Sequence, residues 1–162
     1  NATDSESPTS LPGYMIAMQQ GTILFRGHDL DGAISRFREA IAMEPNCAIC
    51  HRALADTLAQ KGDRTAAITE YQEVVRVEPD NPEHHFMLAA QLEAEAATQA
   101  YADYRFDPKT RSSRPGSAAT GKAARSNYES ALEQYRLAHQ LAPGNKSYKE
   151  AYERVQRQLR HR

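Results

Sequence analysis

The side chains with the most specific chemistry sit in five consecutive residues, Cys47-Ala48-Ile49-Cys50-His51. Both cysteines of the 162-residue chain are here, and a histidine follows the second directly. Two thiols at this spacing can add across the vinyl groups of a haem, with the next imidazole turned onto the iron. The opposite axial position would fall to His84 or His85, with His28, Met43 and Met87 as further candidates. The same thiols with a histidine could hold zinc, although two thiols fall short of the usual donor set. A dithiol couple is a third chemistry, since a helix N-terminus favours the thiolate, but no strand pattern around it suggests a thioredoxin-like frame. The bland alternative makes both cysteines boundary residues and His51 a packed helix residue. Covalent haem also requires export and a maturation system, and a chain without tryptophan has little to line a porphyrin slot.

No other pattern points to catalysis. There is no glycine-rich phosphate loop and no His-Glu-x-x-His. Adjacent helical residues such as His84 and His85 point about 100° apart and chelate poorly. No enzyme is expected. Twenty Lys and Arg against 21 Asp and Glu leave a net charge of −1, which argues against a dedicated nucleic-acid binder. No apolar run is long enough to span a membrane. The chain does not begin with methionine, so a signal peptide would already be gone and the compartment stays open: exported or periplasmic if the cysteine motif carries haem, otherwise cytoplasmic or exported. Asn1-Ala2-Thr3 and Asn145-Lys146-Ser147 fit the glycosylation tripeptide at the level expected by chance. One local imbalance stands out. Arg105, Lys109, Arg111, Arg114, Lys122 and Arg125 share a segment with a single acid, Asp107, which reads as a solvated basic loop or as a contact for an acidic partner.

The elements that must position these residues recur at one constant interval. Leu24 and Leu58, Asp29 and Asp63, Ala33 and Ala67, Phe37 and Tyr71, and Pro45 and Pro79 are all separated by the same number of positions. Each unit reads as two short helices. In the second, Ala53, Leu54, Thr57 and Leu58 supply one helical face; Ala67, Ile68, Tyr71, Val74 and Val75 supply the next. Gly62 suits the left-handed position after a helix, Asp63 can cap the following one, and Pro79 stops it. A period of this size, roughly 34 residues, marks an array in which each unit buries its apolar face only against its neighbours.

These positions resemble the tetratricopeptide repeat family. Its characteristic small, large, alanine, aromatic, alanine and proline positions fall on Gly21, Leu24, Ala33, Phe37, Ala40 and Pro45 in the first unit. In the second they fall on Ala55, Leu58, Ala67, Tyr71, Val74 and Pro79, while Ala17 and His51 replace an early aromatic. The resemblance implies an all-α right-handed superhelix of helical hairpins. Over five residues only, Cys47 to His51 also resemble the attachment segment of c-type cytochromes.

The third unit departs from the period. Leu88, Ala89 and Leu92 mark its first helix, but Ala131, Tyr135, Ala138 and Pro143 mark the second, and Pro143 follows Pro79 at nearly twice the regular interval. An insertion of about 30 residues beyond the repeat period therefore separates the two helices. Glu83 to Tyr104 lacks proline and glycine and reads as one long helix, as does Lys122 to Leu141 with its stripe of Ala124, Tyr128, Ala131, Tyr135 and Ala138. Between them, 105–121 reads as a mobile loop. The expected organisation is a disordered tail over 1–12, repeats over 13–46, 47–80 and 81–144, and a polar capping helix over 145–162, with Arg157, Arg160 and Arg162 at its C-terminal end.

The resemblance places a partner groove on the first helix of each unit. It would be lined by Met15, Met18, Thr22, Phe25 and Arg26, then Ile49, Arg52, Asp56, Ala59 and Gln60, then Glu83, Phe86, Ala90, Glu93 and Ala94. Family members that grip acidic chaperone tails need a lysine and an asparagine where Met18 and Thr22 stand, so that clamp is absent. The expected function is a non-catalytic scaffold or adaptor, binding an amphipathic helix or an extended apolar segment and needing no cofactor. Alternatives are a haem c protein built on the repeat, and self-association into a homo-oligomer through the long hairpin. The N-terminal tail lying in its own groove is a further reading.

Overall fold

The computed structural model describes residues 11–102, 104–107, 112–115 and 118–160. Four helices of 14 residues come first: α1 (Gly13–Arg26), α2 (Leu30–Met43), α3 (Ala48–Lys61) and α4 (Arg64–Val77). Longer ones follow, α5 (Pro82–Ala102) and α6 (Ala118–Leu141), and α7 (Lys146–Arg160) closes the described chain. Contact is heaviest within the pairs α1–α2, α3–α4 and α5–α6, and lighter between one pair and the next. This is the expected all-α stack of helical hairpins.

The ends of the helices follow from single residues. Asp29 and Asp63 accept first-turn N–H groups from Gly32 and Ala66 at 2.9 and 3.1 Å, satisfying donors that a helix start leaves orphaned. Gly62 takes the left-handed conformation, φ 94°, after α3. Glu44 and Glu78 end α2 and α4 directly before the two prolines. The inward stripes are small residues alternating with rings: Ala33, Phe37 and Ala40 on α2, Ala67, Tyr71 and Val74 on α4, Ala131, Tyr135 and Ala138 on α6, all buried. A Cβ on Gly21 would lie 2.5 Å from the Phe37 ring, so only glycine lets α1 and α2 approach this closely. Each large side chain so buried contributes about 1.5–3 kcal/mol.

The third hairpin has helices of 21 and 24 residues, or roughly 31 and 36 Å against about 21 Å elsewhere at 1.5 Å per residue. Ala96, Ala124 and Tyr128 carry the buried seam into the extension, and Asn127 donates to Gln99 Oε1 at 3.0 Å beside them. The loop expected over 105–121 is corrected here. Strands β1 (Tyr104–Asp107) and β2 (Ser112–Pro115) pair antiparallel, with Arg105 opposite Arg114, and α6 already begins at Ala118. The helix expected to reach Tyr104 ends at Ala102. Backbone pairing in a two-stranded ribbon leaves little trace in a segment of Gly, Pro and Ser. Residues 1–10 of the expected tail lie outside the described residues.

Helix α7 lies against α6 and buries Ala151 and Val155. Asn145, the first residue of the chance-level glycosylation tripeptide, caps it by accepting from Ser147 N–H at 3.0 Å.

A candidate binding cleft floored by the cysteine pair

The first turns of α1 and α3 and the end of α4 border a cleft of about 540 Å³. Its apolar wall is Tyr14, Met15, Met18, Ala48 and Ile49; Gln19, Asn46, Glu44 and Glu78 supply its polar rim; Cys47 also lines it. Met15 and Ile49 are 39% and 67% exposed, far more than residues that serve only the core. The charged side chains of the rim are both acids. Three residues assigned to the groove from sequence, Met15, Met18 and Ile49, therefore meet in one place.

The remaining groove residues do not join them. Thr22 spends its hydroxyl on Met18 O at 2.8 Å. Phe25 packs into the main core, Arg26 stays exposed, and Arg52 reaches Glu83 at 3.0 Å. Asp56 accepts from the Tyr71 hydroxyl; burial and that carboxylate hold the phenol far above its ordinary range. Phe86 is covered, its ring 5.4 Å from Tyr135 and 4.9 Å from Tyr148 of α7. Glu93 accepts from the Tyr135 hydroxyl at 2.8 Å and from Arg154 at 2.7 and 3.1 Å. Ala90 and Ala94 are half-buried or better beside it, Ala59 is half-buried and Gln60 exposed on α3. The groove expected to run through three units is thus open at the first two and closed at the third by the capping helix.

Under the cleft, Cys47 and Cys50 are joined in a disulfide with Cα atoms 5.2 Å apart. Cys47 occupies the N-cap of α3, where its Sγ accepts the Cys50 N–H at 3.2 Å. Cys50 is fully buried and Cys47 is 8% exposed; both pack on Ala17 and Ala40, with Tyr14 and Met18 beside them. His51 is equally committed. Its Nε2–H donates to Pro45 O at 3.0 Å and its Nδ1 pairs with Glu70 Oε2 at 2.7 Å. Folded this way, the segment does not fit covalent haem: each sulphur is bonded to the other, and neither imidazole nitrogen faces an open space.

The candidate axial histidines His84 and His85 are buried too. His85 donates from Nε2 to Pro79 O at 2.7 Å and pairs through Nδ1 with Gln134 Oε1 at 2.7 Å. His84 is buried between Glu78 Oε2, 3.4 Å from Nδ1, and the Asn81 amide, 3.3 Å from Nε2. Burial lowers its pKa, with Arg52 and His85 adding to the effect and Glu78 and Glu83 opposing it. His28 sits exposed in the turn after α1. Among the described residues, no three His, Cys, Asp or Glu side chains converge as a cation site.

Sequence reasoning missed this histidine ligature although its signal was present. His51 and His85 lie one repeat apart, as do Pro45 and Pro79, and Glu70 precedes Gln134 by one repeat plus the insertion. In both units the imidazole ties the turn before its own helix to the second helix of its hairpin. The histidine of the five-residue motif is thus a part of the repeat.

Two other surfaces are the basic segment and a cleft beside α5. Of the basic segment, Arg105 and Arg114 fall on paired strand positions, Lys109 and Arg111 lie outside the described residues, Lys122 is exposed, and Arg125 pairs with Glu129 at 3.0 Å. A wider cleft of about 800 Å³ separates α4 from α6 over α5, lined by Thr65, Thr69, Gln72, Gln99, Ser126 and three glutamates among others. Its acids pair with neighbours, Glu129 with Arg125, Glu133 with Arg136 and Glu95 with the Gln99 amide. No described helix is long and apolar enough to cross a membrane.

Comparison with known proteins bears on the fold. Residues 24–92 match the family profile described as Tetratricopeptide repeat. The Arabidopsis OM64 TPR domain superposes with a TM-score of 0.61 at 15% identity over 90% of this chain and 95% of that one. The Yersinia enterocolitica type III secretion chaperone SycD, solved with a peptide of the translocator YopD, gives 0.60 at 14% identity over 96% and 95%. The first TPR of Spaghetti bound to the HSP90 peptide SRMEEVD gives 0.61 at 12% identity over 90% and 92%. A comparison with curated proteins finds no match.

Proposed function

We propose a non-catalytic interaction scaffold whose α1–α3 cleft takes an apolar peptide segment flanked by basic residues; the match of residues 24–92 to the tetratricopeptide repeat profile and the fold shared with the OM64 TPR domain support this reading. The observation that carries the reading is the cleft itself. Met15 and Ile49 stay exposed there, whereas the equivalent position of the third unit is Glu83, which pairs with Arg52. Methionine is flexible and polarisable, and suits a site that must fit itself to an incoming side chain. The acids Glu44 and Glu78 on the rim favour a basic flank, and no lining residue offers an acidic peptide a cation. Structural neighbours with bound peptides support the use of such a surface, although the peptide SRMEEVD bound by the Spaghetti domain, with three acids to one base, is the wrong charge for this rim.

Fluorescence anisotropy with a labelled synthetic peptide carrying two basic residues beside a leucine–phenylalanine pair tests this. Met15→Glu combined with Ile49→Glu should weaken binding by about a hundredfold, the scale of losing a central apolar contact. Circular dichroism should be unchanged, since both side chains project outward. Equal binding by the variant, or preference for an acidic peptide, refutes the assignment.

A further inference from the structure

The repeat does not need the cysteines: α1 starts after Pro12 with no side-chain cap, and α5 and α7 start on asparagines. The residue preceding the first helix of a unit is Cys47 in the second, Asn81 in the third and Asn145 before the capping helix. Asn81 Oδ1 accepts Glu83 N–H at 3.1 Å and Asn145 Oδ1 accepts Ser147 N–H at 3.0 Å, as an N-cap should. Sulphur is a weaker acceptor for the same duty. The position three further on is Cys50 in the second unit and His84 in the third. The bridge also closes only one helical turn, a span the helix already holds, so it restrains the unfolded chain less than a link between distant elements would.

The two sulphurs differ in setting. Cys47 lines the cleft, whereas Cys50 has no exposure and does not. Cys47 is also the sulphur that accepts an N–H from the start of α3. A thiolate released there is stabilised by that donor and by the positive end of the helix. An attackable sulphur at the edge of a binding cleft, with its partner buried behind it, is the arrangement of an exchanging disulfide.

We propose that Cys47–Cys50 is a thiol–disulfide exchange site acting on a peptide dithiol lodged in the α1–α3 cleft; its peptide specificity rests on the cleft assignment above. One peptide thiolate attacks Cys47 Sγ. A peptide–Cys47 disulfide forms, the Cys47–Cys50 bond breaks, and its electron pair goes to Cys50 Sγ, which takes a proton from solvent. The second peptide thiolate then attacks the peptide sulphur of the mixed disulfide. Cys47 leaves as a thiolate on the Cys50 N–H, and the peptide departs oxidised by two electrons while the protein keeps its dithiol. Glutathione disulfide restores the bridge and completes a cycle.

The test uses the full chain with glutathione disulfide and with the basic–apolar peptide lengthened by one cysteine activated as its thionitrobenzoate disulfide. In Cys50→Ala, Cys47 should capture either reagent, followed by mass and by released thionitrobenzoate. Cys47→Ala should react at least about tenfold more slowly, because Cys50 is buried. Cys47→Asn with Cys50→Ala supplies the asparagine cap found before α5 and α7; it should keep the helical signal and lose all exchange. Equal rates for the two single variants, or an inert Cys47 in a folded protein, overturns the proposal. Capture of glutathione with no added rate for the peptide upholds exchange and removes the peptide cleft. Binding of the cysteine-free peptide alongside an inert Cys47 upholds the cleft and removes exchange.

Discussion

The first turns of α3 and α5 occupy equivalent places in successive repeats, and one histidine is common to both. In each, a histidine donates to the carbonyl of the preceding proline and pairs with the second helix of its hairpin, His51 with Glu70 and His85 with Gln134. Around that shared ligature everything else differs. The second unit carries a disulfide where the third carries an asparagine cap and a buried histidine, and its Ile49 faces an open cleft where the third has Glu83, while Phe86, at the position of Arg52, packs on Tyr148. What the units share is what the stack requires, namely a satisfied turn carbonyl and a fixed angle between turn and hairpin. What they do not share is free to serve another purpose, and it is concentrated in the second unit.

The closure of the third unit should be the costlier feature to disturb. Val155→Asp places a carboxylate at a fully buried position of α7, with an expected loss of about 3–5 kcal/mol by urea titration. Undocking α7 also releases Arg154 from Glu93 and Tyr148 from Phe86, so the variant should bind a hydrophobic dye that the wild type ignores. A variant as stable as the wild type would mean that the third unit is closed by something other than α7.

The shared ligature comes next. His51→Ala and His85→Ala each leave a proline carbonyl without its donor, at an expected cost of roughly 1–3 kcal/mol apiece in equilibrium unfolding. Similar costs would support one repeat device used twice. If His51→Ala were neutral while His85→Ala were costly, the histidine of the five-residue motif would have to serve something besides the stack.

Those two histidines also mark how far the sequence could be read. Helix existence, the small-and-ring stripes of Ala33, Phe37, Ala67 and Tyr71, and the left-handed Gly62 all follow from local rules that neighbours do not override. The role of His51 did not follow, because a local five-residue pattern suggested a cofactor while the competing signal lay in pairs separated by a whole repeat or more. The partial burial of Phe86 was hidden for a related reason. The residue is apolar and correctly placed for a groove, and only the docking of α7, a tertiary event, decides whether Tyr148 covers it. In the cleft, Met15, Met18 and Ile49 were legible, whereas the disulfide depended on how the first turn of α3 brings its Cα atoms to 5.2 Å.

The units should also differ in their response to acid. Above its ordinary value of 6.5, His84 is neutral in both folded and unfolded chains. Below that value the unfolded chain takes up a proton that burial denies the folded one, so stability falls with falling pH until the lowered folded pKa is passed. Between about pH 7.5 and pH 5.5 the wild type should lose more stability than His84→Asn, since the other histidines are common to both. Parallel losses would show that Glu78 and Glu83 offset the burial completely.

The smallest effect concerns how the first two hairpins turn. His28 and Gly62 hold equivalent places, one repeat apart, and both are left-handed, with φ 63° and 94°. Their hydrogen bonds correspond as well: His28 N–H donates to Phe25 O and Asp29 N–H to Leu24 O, as Gly62 N–H does to Ala59 O and Asp63 N–H to Leu58 O. The geometry is one helix stop built twice, once with the residue that adopts it freely and once with a residue whose Cβ opposes it. His28→Gly should therefore stabilise by roughly 0.5–1 kcal/mol, less whatever the added glycine entropy of the unfolded chain removes, and Gly62→Ala should destabilise by about 1 kcal/mol. Urea midpoints shifting in opposite directions would show that the strain at His28 is real. A His28→Gly variant that binds the test peptide more weakly at unchanged stability would instead place that exposed imidazole among the contacts of a bound partner.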